Sequence, residues 1–146
     1  MRILCHELSF CNTAVGFIIR CIQIYYESEN HLFSTCTTSW LVWSKVHRWF
    51  GLISVLPDSV SSLLNSFLNC YRKKNGFKGV LLVWHAVIWV IWRVRNERIF
   101  SGKFVEPPEI FDRIQYTSWN WLLAKKISSP CLFYEWCVNP MNCIAR

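Results

Sequence analysis

The run VLLVWHAVIWVIW, Val80 to Trp92, constrains this chain more than any other stretch. It is apolar nearly all round, with His85 as its one titratable side chain. A helix that is hydrophobic on every side must be covered on every side, by protein or by lipid. A membrane-spanning helix needs about 20 apolar residues, more than this run supplies. The reading is therefore a buried central helix, from about Val80 to Phe100, whose second half, RVRNERIF, is polar on most sides.

The flanking segments carry the amphipathic patterns needed to cover it. In TTSWLVWSKVHRWFG, Trp40, Trp43, Val46 and Phe50 recur at helical spacing. Thr38 or Ser39 suits the N-cap and Gly51 a left-handed C-terminal close. In PDSVSSLLNSFLNC, Asp58 or Ser59 suits the cap, and Val60, Leu63, Leu64, Phe67 and Leu68 form one stripe. YRKKNGFKG reads as a loop, broken by Gly76 and Gly79. Pro107 and Pro108 suit a first helical turn. The helix they open has Ile110, Phe111, Ile114, Trp121 and Leu122 on its apolar face and ends at Ser128, Ser129 and Pro130. The tail, CLFYEWCVNPMNCIAR, reads as extended and packed back on the helices.

The expected fold is mainly α. A small irregular N-terminal knuckle, residues 1–36, precedes a helical body, 37–146, of about four helices and an extended aromatic tail. The N-terminal CNTAVGFIIRCIQIYY alternates in part, as a strand does. Hydrophobic residues are 53% and charged residues 17% of the chain, so the apolar surface must be buried or find a partner.

The charge is concentrated. Of sixteen Lys and Arg, eight fall between Cys70 and Val105 against one acid, Glu97. Arg72, Lys73, Lys74, Lys78, Arg93, Arg95 and Arg98 are the candidate phosphate contacts for RNA or DNA. The same block also reads as a solvated basic face, or as the flank of a membrane-associated helix. Trp40, Trp43, Trp84, Trp89, Trp92, Trp119 and Trp121 fall on helical stripes and read as core. His85 reads as a satisfied core histidine and His47, beside Arg48, as a surface group.

Eight cysteines would suit a secreted disulfide framework. The start, MRILCHELSFCNTAVGF, lacks the uninterrupted apolar core of a signal peptide. The cysteines are therefore read as reduced and the location as intracellular, nucleus or cytoplasm. In YESENHLFSTC, His31 and Cys36 have a spacing that one turn brings together, with Cys21 a loop away. That offers zinc three ligands where a structural site takes four. Without metal, both read as partly buried structural residues.

The segment ESENHLFSTCTTSWLVWSKVHRWFG resembles the zinc-binding region that follows reverse transcriptase in plant non-LTR retrotransposons. Glu27, Ser28, His31, Leu32, Phe33, Cys36, Ser39, Val42, Trp43, Trp49 and Gly51 match its pattern in order. The likeness continues through LVWHAVIWVIWRVRNERIF, SWNWLL and PCLFYEW, so it covers about residues 26 to 140. It implies His31 and Cys36 as zinc ligands, with Cys21 one residue out of register and the first cysteine position, near Ile18, unfilled. The copy is expected to be truncated and degenerate at its N-terminus, with an incomplete zinc site. The resemblance implies that in the intact parent the region helps hold template RNA or target DNA.

Catalysis is not expected. Two-metal polymerase or nuclease chemistry needs clustered carboxylates, and the chain has nine in all with no adjacent aspartates. NGFKG lacks the spacing of a phosphate-binding loop, and no serine stands in a nucleophile elbow. The expected function is weak, salt-sensitive nucleic-acid binding. A membrane-associated or protein-interaction fragment and a decayed reading frame with no selected function are the alternatives.

Overall fold

Two fully buried tryptophans, Trp43 and Trp136, and one long helix organise the core. The computed structural model describes residues 28–53, 55–69, 76–127 and 129–146, and among them there is no strand. A single π-helical turn, His31–Thr35, leads into α1, Thr37–Trp49. Then follow α2, Val60–Asn69, α3, Phe77–Ser101, and α4, Pro107–Lys125. Two short helices, α5, Phe133–Val138, and α6, Pro140–Ile144, complete the chain. The mainly α expectation holds.

The central helix is where the sequence placed it and longer than expected. α3 has 25 residues, about 37 Å at roughly 1.5 Å per residue. Val80, Val83, Ala86 and Val87 are fully buried, and burial runs on to Val94. The helix starts at Phe77, so Gly79 lies inside it rather than breaking it. Ile144 of α6 lies over that position: a Cβ on Gly79 would meet its side chain at 2.7 Å. The missing side chain is what admits α6. Gly102, at φ +65° with its N–H on the Arg98 carbonyl, closes α3 in the left-handed conformation.

α4 is the principal partner of α3 and also receives α1. Pro107 and Pro108 occupy its first turn, and Ile110, Ile114, Ser118 and Leu122 form its buried stripe at four-residue spacing. α1 buries Val42, Trp43 and Val46; its C-cap Phe50 is also buried, and Gly51 follows at φ +69°. Trp40 departs from the core assignment and is 51% exposed. It stands two residues from Val42, about 200° round the helix. The other stripe tryptophans of α3 and α4 are half-buried, with Trp84, Trp89, Trp92 and Trp119 packed against the core. α2 buries Leu63 and Phe67, and Ser59 Oγ caps it by accepting the Ser62 N–H at 3.2 Å.

The tail is helical, not extended. Helices of five and six residues have little stability of their own. Glu135 accepts the Leu132 N–H at 2.9 Å, and Asn139 Oδ1 accepts that of Asn142 at 3.1 Å. Trp136 is fully buried, donating to the Gln115 carbonyl at 3.0 Å and Ser118 Oγ at 3.2 Å. The Trp49 indole donates to the Trp136 carbonyl and meets its ring edge-on at 5.3 Å. Trp119 donates to the Cys131 carbonyl at 3.0 Å. Packing of an aromatic pair, with its N–H groups satisfied, forms these turns where sequence periodicity could not signal them.

Candidate nucleic-acid interface

The turn that carries His31 is built from short-range bonds and anchored by two buried side chains. His31 N–H donates to Ser28 Oγ at 3.1 Å, and the His31 carbonyl accepts the Cys36 N–H at 2.9 Å. Leu32 and Phe33 are buried beneath it, and Trp43 Nε1 donates to the Phe33 carbonyl at 2.7 Å. Asn30 Oδ1 accepts the Val60 N–H at 3.1 Å, and Ser34 Oγ donates to the Pro57 carbonyl at 3.1 Å. The turn is thus fixed to α1 and to the start of α2.

Cys36 is the N-cap of α1, a place the sequence had assigned to Thr38 or Ser39. Its Sγ accepts the Ser39 N–H at 3.3 Å and its thiol donates to Ser39 Oγ at 3.1 Å. Ser39 Oγ donates in turn to the Leu32 carbonyl. A thiol is a less usual cap than a hydroxyl, and the preference for Ser and Thr hid it.

His31, Thr35, Cys36, Thr37 and Thr38 form one wall of a groove of about 420 Å³. Ile91, Val94, Arg95 and Arg98 of α3 form the other, with Phe104, Val105 and Ile110 at its end. Residues far apart in the sequence therefore share one opening: His31 and Cys36 line it together with Arg95 and Arg98. The Arg98 guanidinium lies over the Phe104 ring, 5.5 Å from its centroid. The groove combines two guanidinium groups, three threonines and the N-terminal end of α1, whose free amides favour an anion.

Arg93 points elsewhere. It lines a second cleft of about 420 Å³ with Val90, Glu97, Lys103, Arg113, Tyr116 and Thr117. Arg113 is pinned between Glu97 at 2.9 Å and Glu109 at 2.8 Å. That bond holds the Glu97 carboxyl below the usual carboxylate range. Arg93 reaches Glu97 only at 3.8 Å, with 58% of its side chain exposed. Sequence reading counted Arg93 with Arg95 and Arg98; two residues along a helix turn them to different sides. It missed Arg113, Phe104 and Tyr116, which lie outside the basic run or carry no charge. Lys78 is exposed at the start of α3, away from both openings. Cys21, Arg72, Lys73 and Lys74, and the N-terminal strand candidate, lie outside the described residues.

His47 is not a surface group: it is 3% exposed and stacks on Phe67, rings 5.7 Å apart. His85 is half-buried, with Nδ1 2.7 Å from the Leu81 carbonyl. For zinc, His31 and Cys36 offer two donors of the four a structural site takes. Among the described residues, no group of three or more His, Cys, Asp or Glu could hold a metal ion. No protein-family model, curated protein or solved structure matches this chain.

Proposed function

We propose that this chain is a non-catalytic nucleic-acid-binding fragment of a retrotransposon-derived reverse-transcriptase zinc-binding region. It holds RNA or DNA by the phosphate backbone through the groove between α3 and the start of α1. The observation that carries the reading is the convergence of Arg95 and Arg98 with His31 and Cys36 on one opening. These are the two residue sets that composition and resemblance single out separately. Zinc, where Cys21 and a fourth donor join His31 and Cys36, would brace the turn that forms the groove's wall; binding itself comes from the guanidinium groups. Each phosphate neutralised on a duplex contributes a salt slope of about 0.9.

Electrophoretic titration of the full chain with a short duplex and a short single strand, across a salt series, tests this. Replacing Arg95 and Arg98 together by alanine is expected to weaken binding and reduce the slope by about 2. Absence of binding at low salt, or an unchanged slope in the double variant, overturns the reading. A second reading rests on α3, which is long and apolar enough to cross a membrane. Ten of its residues, however, are buried within the protein.

A further inference from the structure

We propose that a single-stranded nucleic acid wraps the C-terminal end of α3, passing from the Arg95–Arg98 groove over Phe104 into the second cleft, where a base stacks on Tyr116. This rests on the reading above and deepens it by naming the partner as a single strand rather than a duplex.

The two openings meet in the chain just past the end of α3. Gly102 turns the chain back at the end of α3, and the next two residues diverge: Lys103 lines the second cleft and Phe104 the first groove. Phe104 is 58% exposed, under the Arg98 guanidinium. A polymer leaving the first groove over this ring meets Lys103 and Arg93 next. Arg113 is engaged by Glu97 and Glu109 at 2.9 and 2.8 Å, and Arg93 reaches Glu97 only at 3.8 Å, so Lys103 and the largely exposed Arg93 are the cations that phosphate would meet.

Tyr116 then supplies what a charged groove alone lacks. It lines the cleft, is 58% exposed, and is held from behind by Phe133, edge-on at 5.9 Å, and Trp119 at 6.3 Å. Phe133 and Trp119 are themselves 5.3 Å apart. A phenol ring so supported is presented to solvent at the mouth of a cationic cleft. Aromatic faces beside a basic path are the arrangement that binds unpaired bases without regard to sequence.

Stiffness decides between the two polymers. Duplex DNA bends over a persistence length of about 500 Å, whereas the path turns around the end of a helix about 10–12 Å across. A duplex reaches one opening at a time and keeps its base faces stacked inside. A single strand follows the turn and offers a face to Tyr116.

Fluorescence anisotropy with a short oligothymidylate and a duplex of equal length, on the full chain, tests the proposal. Tyr116→Ala is expected to weaken oligothymidylate binding roughly tenfold, the loss of one stacked base, with the salt slope unchanged. Tyr116→Phe keeps the ring and is expected to bind as the parent does. Lys103→Ala lowers the oligothymidylate slope by about 0.7. The duplex binds more weakly and does not respond to Tyr116→Ala. The outward position of Tyr116 leaves the core intact, and circular dichroism of the variant checks this. Binding of oligothymidylate within twofold of the parent in Tyr116→Ala, or a duplex bound as tightly as the single strand, overturns this proposal. If the Arg95 and Arg98 replacements weaken binding while Tyr116→Ala does not, this inference fails and the groove reading stands. If neither probe binds at low salt, both fail.

Discussion

His47 lies in the last turn of α1 with its ring stacked on Phe67 and edge-on to Trp43 at 6.3 Å. Burial pushes its imidazole below the ordinary value of 6.5. The unfolded chain therefore takes up a proton on acidification before the folded one does. Stability contributed by neutral His47 is complete above pH 6.5 and is lost as the pH falls from there towards the lowered folded value. The slope in that window is at most about 1.4 kcal/mol per pH unit. His47→Phe, which keeps a ring against Phe67, is expected to flatten stability in urea between pH 6.5 and the onset of carboxylate titration. An unchanged profile in the variant would assign the acid loss to other groups. The sequence gives no hint of this burial, because Arg48 beside it is exposed and suggests a wet face. The stripe through Val46 and Phe50 decides the matter, since position 47 borders it on the Phe67 side.

Gly79 in α3 and Ile144 in α6 test how elements are joined. Gly79→Ala gains about 1 kcal/mol of helix propensity. It also drives a methyl group into Ile144 side-chain atoms at 2.7 and 2.8 Å. Overpacking of that kind costs about 1–3 kcal/mol. The net expectation is a modest loss. Ile144→Ala alone opens a cavity at a cost of about 2–5 kcal/mol. In the double variant the new methyl occupies part of that cavity, so the two losses are expected to sum to more than the double loss by about 1 kcal/mol or more. Additivity in urea midpoints would show that α6 does not rest on Gly79. Long elements were legible from pattern: α1, α2, α3 and α4 all follow apolar stripes. The ends were less so. A glycine read as a breaker lies inside α3, because a single glycine in a long helix costs less than the packing it permits. α5 and α6 were unreadable as helices, since each is too short to show a period, and they depend on the docking of Trp136 and of Ile144 respectively.

Across the whole molecule, apolar mass and positive charge are divided along one helix. The first part of α3 is buried by α2, α4 and α6, and its last turns bring Arg93, Arg95 and Arg98 to the surface. A core helix and a membrane span make different predictions from that division. A tagged protein is expected in the supernatant after carbonate extraction, because the apolar faces of α3 already have protein partners. Retention in the pellet would favour the membrane. The candidate interface was half legible in the sequence: the basic run and the His–Cys turn could be seen, but not that they line one groove. Their meeting depends on the packing of the π-helical turn against α3, and no local pattern records a contact across 60 residues. The aromatic contribution was the least visible part. Tyr116 sits on α4 between two core-facing positions, Gln115 and Ser118, and only exposure distinguishes it from a packing ring.

The indole bonds that fasten α5 set an order of events during synthesis. Trp49 and Trp119 emerge from the ribosome before the carbonyl groups they bind, on Trp136 and Cys131. The nascent helical body holds α3 beside α4 with the places of Trp136 and Ile144 still open. Until residue 144 is free to dock, that apolar seam stays uncovered, and transiently exposed surface of this kind is what makes a folding chain prone to aggregate.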